Sequence, residues 1–142
     1  MISTTQLLDI INKNEHLTLE TLLKQVPEIN FVDYLEALLA KKNMSKSILI
    51  NKANLHRTYA YQIFNGTKIP SRNEVIQLAL AMQLDIRETN NLLSLSNNGY
   101  LYPKVKFDAA ILLALKNKYS VLKTNLILEQ YQLPLLDSWI SS

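Results

Sequence analysis

Residues 44–66 read MSKSILINKANLHRTYAYQIFNG, and the pattern is that of two short helices joined by a tight turn. Ser45 stands where a hydroxyl can accept from the free N–H groups of a first helical turn. Leu49, Ile50 and Ala53 make an apolar stripe. Asn54 follows where the chain must turn sharply, and asparagine is among the few residues besides glycine that tolerate a left-handed backbone. Leu55 is placed to plug the corner. A second helix starts near His56 and carries Ala60 and Ile63 inward, three residues apart. Arg57, Thr58, Tyr61, Gln62 and Asn65 fall on its other face, and Gly66 stops it.

Outward from this pair, helical periodicity recurs along the chain and no alternating strand pattern interrupts it, so the expected class is all-α. Upstream, a helix from Asn30 to about Lys42 would bury Val32, Leu35, Leu38 and Leu39. Before it stand two short helices. One runs from Ser3 to Lys13 with Leu7, Ile10 and Ile11 on one side. The other is capped by Thr18, carries Leu19, Leu22 and Leu23, and ends after Val26 at Pro27. Downstream, Ser71 and Glu74 form a capping box for a helix to about Gln83, with Val75, Leu78, Ala79 and Met82 inward. Asp85 and Glu88 repeat the start signal for a helix carrying Ile86, Leu92 and Leu93.

Asn97-Asn98-Gly99 is the clearest break in the sequence. Beyond it, a strongly apolar helix from about Val105 to Lys118 would face the core with Phe107, Ile111, Ala114 and Leu115. Ser120 can cap a last helix to Tyr131. The tail Leu135-Leu136-Asp137-Ser138-Trp139-Ile140 is apolar for a free end and is expected to dock. The expected organisation is an N-terminal helical pair at 1–29, a central domain at 30–97 and a C-terminal helical extension at 98–142.

Ser45, Leu49-Ile50, Asn54, Leu55, Arg57 to Phe64, Gly66 and Pro70-Ser71 together resemble the lambda-repressor-like, Xre-type helix-turn-helix family. The family pattern is a cap, an apolar pair, a small or left-handed turn residue and an apolar corner. A polar recognition helix, a glycine and a Pro-Ser start to the next helix complete it. The resemblance covers roughly Asn30 to Asn97 without a gap. Asn54 departs from the commoner glycine, His56 from the usual Ser or Thr cap, and Phe64 from a usually polar residue. The resemblance implies a five-helix DNA-binding domain, here with additional N- and C-terminal helices. It implies a prokaryotic or phage transcriptional regulator that binds double-stranded DNA as a homodimer on symmetric half-sites.

The charge distribution points the same way. From Ala37 to Asn73 there are seven bases, Lys41, Lys42, Lys46, Lys52, Arg57, Lys68 and Arg72, and no acid. The other residues hold the remaining eight bases and all twelve acids, a net of −4 against +3 for the whole chain. A basic surface on one side is the footprint expected for phosphate contacts.

Enzyme chemistry finds little footing. There is no cysteine, and His16 and His56 share no metal-ligand spacing, so neither a metal nor another cofactor is expected. Two glycines cannot build a phosphate-cradling loop. No apolar run approaches membrane-spanning length and the N-terminus lacks a signal-peptide pattern, so the expected location is the cytoplasm. On the DNA reading, Arg57, Thr58, Tyr61 and Gln62 read bases. Arg57 suits guanine O6 and N7, Gln62 adenine N6 and N7, and Tyr61 the thymine methyl. Lys46, His56, Asn65 and Lys68 would contact phosphates, with His56 alternatively a helix cap. Tyr59 and Phe64 are read as packing. The rival reading is a protein-interaction adaptor, inhibitor or antitoxin. It would use the same fold, or the N- or C-terminal helices, to hold a protein partner.

Overall fold

Thr18, Ser45, Ser71, Asp85 and Ser120 each accept a backbone N–H from three residues further on, and each opens a helix. At Ser71 and Asp85 the box is complete, with Glu74 and Glu88 reaching back to the cap N–H. The computed structural model describes residues 3–13, 16–26 and 29–137, and among these there is no strand. The helices are α1 (Thr4–Lys13), α2 (Leu19–Gln25), α3 (Phe31–Lys41), α4 (Lys46–Ala53), α5 (Arg57–Phe64), α6 (Arg72–Met82), α7 (Ile86–Leu95), α8 (Lys106–Lys116) and α9 (Val121–Gln130). Pro27, Trp139 and Ile140 lie outside the described residues.

The chain divides into two compact units, Met1–Asn30 and Phe31–Ser142. In the first, α1 and α2 bury none of their residues. In the second, α6 is the hub. It touches α4, α7, α8 and α9, and every residue from Val75 to Met82 is buried. The expected stripe of Val75, Leu78, Ala79 and Met82 is there, but Ile76, Gln77, Leu80 and Ala81 on the other sides are buried as well. A helix apolar all round belongs in the middle of a core.

Asn97-Asn98-Gly99 is a turn inside this second unit. Beyond it, Leu101, Ile111, Ala114, Leu115, Val121, Leu128 and Leu136 join one continuous core with the residues of α3 to α7. Arg72, the first residue of α6, fastens the same seam. Its guanidinium donates to both carboxylate oxygens of Asp108, at 2.9 and 2.7 Å, and to the Asn98 and Tyr100 carbonyls. Asp108 also accepts the Tyr102 N–H.

All seven helices described in the second unit end alike. A residue in the left-handed region follows, and the next N–H bonds back five residues to the last turn. The left-handed residues are Asn43, Asn54, Gly66, Gln83, Asn97, Lys118 and Gln132. The closing bonds include Leu55 N–H to the Ile50 carbonyl and Leu84 N–H to the Ala79 carbonyl.

Three expectations are corrected. Ile86 does not turn inward: it is 42% exposed, and Glu88 and Thr89 are buried in α7 instead, with Leu92 and Leu93. The reason is the capping box, which turns Glu88 back over the first turn toward Lys41 and Lys42. Val32 and Phe107 are only half-buried, at the edge of the core, while Phe31 fills the inner place in α3. His56 occupies the N-cap position of α5 but makes no side-chain cap bond.

Candidate nucleic-acid interface

Asn54 has φ 57° and ψ 40°, and this one left-handed residue redirects the chain from α4 into α5. Leu55 is half-buried against the core behind it. Ala60, Ile63 and Phe64 then bury the inner side of α5. Arg57, Thr58 and Tyr61 are exposed and Gln62 is half-buried, so the four expected base-reading residues share the outer side of one eight-residue helix. Arg57 lies over the Tyr61 ring at 5.6 Å, a cation–π contact that holds both at the start of the helix.

The four expected phosphate contacts surround this helix. Lys46, His56, Asn65 and Lys68 are all exposed. Lys46 opens α4, with its ammonium 5.0 Å from the Phe64 ring centroid and 3.2 Å from Glu36. That pair is exposed, of a kind worth about 0–1 kcal/mol, so Lys46 can exchange it for a phosphate. Asn65 Oδ1 accepts the Thr67 N–H and shapes the exit turn, while the Gln62 carbonyl accepts from Thr67 and Lys68.

The basic stretch is less one-sided than its sequence suggests, because acids distant in the chain fold back onto it. Glu88 faces Lys41 at 2.9 Å and Lys42 at 3.9 Å, and Asp108 takes Arg72. Burial pushes the Glu88 carboxyl up, but the Lys41 hydrogen bond, the Asp85 N–H and the two lysine charges together bring it below the ordinary glutamate value. Asp108 behaves likewise: burial raises it, and the Arg72 and Tyr102 bonds more than reverse the shift. Lys52, Arg57 and Lys68 have no ion pair among the described residues. Together with Lys46, whose pair with Glu36 is exposed, they are the bases of this stretch that no buried acid takes up.

Tyr59 is half-buried and its hydroxyl donates to Glu74 at 3.0 Å, which ties α5 to the first turn of α6. Burial is the main cause that raises the Tyr59 hydroxyl above its ordinary value, followed by the Glu74 bond and charge. The residues that sequence reasoning passed over are Ser47 and Asn51. They line a shallow cleft of about 360 Å³ with Ile48, Ile50, Leu55 and Arg57, where α4 meets the start of α5. Their spacing of four on α4 was the available signal, since it sets two polar side chains one above the other.

Among the described residues, no group of three or more His, Asp or Glu side chains is placed to hold a metal ion. No helix there is long and apolar enough to cross a membrane. No protein-family model, no curated protein and no solved structure matches the chain.

Proposed function

We propose that this chain is a sequence-specific double-stranded DNA-binding transcriptional regulator of the lambda-repressor-like, Xre-type helix-turn-helix kind. In this reading α3 to α7 are its five helices, and α5 enters the major groove. The observation that carries the reading is the outer side of α5, where Arg57, Thr58 and Tyr61 are exposed and Gln62 is half-buried, directly after a left-handed turn. A helix fits the major groove, where base edges present distinct donor and acceptor patterns. Lys46, His56, Asn65 and Lys68 flank it as phosphate contacts, and the location expected of such a regulator is the cytoplasm.

Selection from a random duplex pool tests this. Arg57→Ala and Gln62→Ala are expected to keep the fold and relax the selected motif, each weakening discrimination by about 1–3 kcal/mol at its own base pair. Lys46→Ala is expected to weaken all duplexes alike and to lower the salt slope by about one charge. An unchanged motif in both base-reading variants, or a sequence-selective loss from Lys46→Ala, counts against the assignments.

The regulator works as a homodimer through its C-terminal helices. Leu113 on α8, with Leu122 and Leu126 four residues apart on α9, are each more than half exposed, although both helices already bury another side. Half-sites one helical turn apart, about 34–36 Å, suit such a pair. Light scattering at micromolar concentration should give twice the chain mass, and Leu122→Glu/Leu126→Glu should halve it. A full chain that is monomeric alone and on DNA removes the dimer.

One observation favours the rival reading, a protein-binding adaptor, inhibitor or antitoxin. Ile48, Tyr61 and Ile69 are exposed on and around the two motif helices. Binding that survives moderate salt would point to that apolar surface, whereas DNA binding should weaken steeply.

A further inference from the structure

The hinge between α4 and α5 is tied to the far end of the chain. The Asn54 side-chain amide donates to Asp137 Oδ2 at 3.1 Å. The same oxygen accepts from Gln77 Nε2 at 2.9 Å. Gln77 is fully buried in the middle of α6 and also donates from Nε2 to the Ala53 carbonyl, at 3.0 Å. One residue earlier, Leu136 is buried in the core, and its N–H donates to Oδ1 of buried Asn125 on α9 at 2.8 Å. Four hydrogen bonds therefore link α9, the C-terminal segment, α6 and the turn of the motif. Asp137 Oδ1 is itself buried without a donor. The two Asp137 bonds through Oδ2 add to the hold that buried Leu136 and the Leu136 N–H bond give the segment.

We infer that Asp137 is a positioning residue for α5. By holding the exposed Asn54 amide it braces the backbone joint, closed by the Leu55 N–H to Ile50 carbonyl bond, that leads into α5. The presentation of Arg57, Thr58, Tyr61 and Gln62 then depends on whether residues 133–137 are seated. Since the same segment is held by Asn125 of α9, whose outer side carries Leu122 and Leu126, subunit pairing and the pose of the recognition helix become coupled. The inference rests on the DNA-binding reading only in what α5 is positioned for, and on the dimer reading only in its coupling to subunit pairing.

Asp137→Asn and Asp137→Ala separate the bonds from the charge. Both remove the same negative charge. Asparagine keeps one acceptor oxygen for Asn54 and Gln77 and places its NH2 where the unpartnered oxygen was. Alanine removes the acceptor. In the full chain, with helicity unchanged, the Leu55 amide is expected to exchange about tenfold faster in the alanine variant than in the asparagine variant. Affinity for the best selected duplex should fall about tenfold between the same two proteins at matched salt, the scale of one or two neutral hydrogen bonds. Equal exchange rates in the two variants overturn the inference whatever the DNA result. Unequal exchange with equal duplex affinity overturns the positioning role. If the wild-type chain binds no duplex, the DNA reading fails by itself, and the exchange comparison still decides whether Asp137 holds the joint. If Asp137→Ala loses helicity, Asp137→Leu replaces it in the comparison, because leucine likewise removes the acceptor and the charge while keeping a side chain of similar size.

Discussion

A chain stopped at Asn98 is expected not to fold cooperatively, although it would contain all of α3 to α7. The missing part carries Leu101, Ile111, Leu115, Val121, Leu128 and Leu136, six large apolar side chains that are buried in the common core. At about 1.5–3 kcal/mol each, their burial is on the order of 10 kcal/mol, comparable to the whole stability of an ordinary domain. Removing them also spares the entropy of ordering the extension, so the decisive quantity is what is left bare. That is the side of α6 and α7 that now meets α8 and α9. Thermal unfolding followed by circular dichroism should show a broad, shallow transition in place of a sharp one, with dye binding to exposed apolar surface. A sharp transition in the truncated chain would mean that the five helices suffice on their own.

The second large effect is expected at the Arg72–Asp108 pair. Arg72→Met should destabilise the fold by about 3 kcal/mol, because it leaves a nearly buried carboxylate unpaired and frees the Asn98 and Tyr100 carbonyls. Adding Asp108→Asn should recover a good part of this, since no charge is then left without a partner. The pair also sets an acid limit. Asp108 and Glu88 both ionise at lower pH in the folded chain than in the unfolded one. Their stabilisation is therefore complete above the ordinary carboxylate range and is lost as the pH falls through their depressed folded values, below about pH 4. Urea midpoints measured across that range should fall steeply for the wild type and less steeply for the double variant. A parallel pH profile would show that Asp108 is not among the groups responsible.

The sequence was most informative where a single residue does a local job. Ser45, Ser71, Asp85 and Ser120 announced their helices because a cap needs only its own first turn, and Asn54 announced its turn for the same reason. It was least informative where partners come from far away. Nothing near Arg72 indicates Asp108, 36 residues on, and nothing near Lys41 indicates Glu88, 47 residues on. The basic run was legible as a run, but its neutralisation is a tertiary fact. The single stripe expected on α6 had the right members and missed that the helix is enclosed, because the covering helices α8 and α9 lie beyond an Asn-Asn-Gly turn that reads like a boundary. Of the tail expected to dock, residues 135–137 are described, and they do. Leu136 is buried and Leu135 half-buried, with Asp137 bonded to Gln77 and Asn54.

The repeated helix ending has a consequence for how far the fold could be hardened. Six of the seven left-handed joints carry a side chain where glycine would be relaxed, and each such residue holds its conformation against about 1–2 kcal/mol of steric opposition, less for asparagine. Gln83, Lys118 and Gln132 are therefore natural places to engineer heat resistance by glycine replacement, with only the greater freedom of the unfolded chain working against the gain. Asn54 is the exception. Glycine there would ease the backbone but also cut the side-chain tie between the α4–α5 turn and the C-terminal segment.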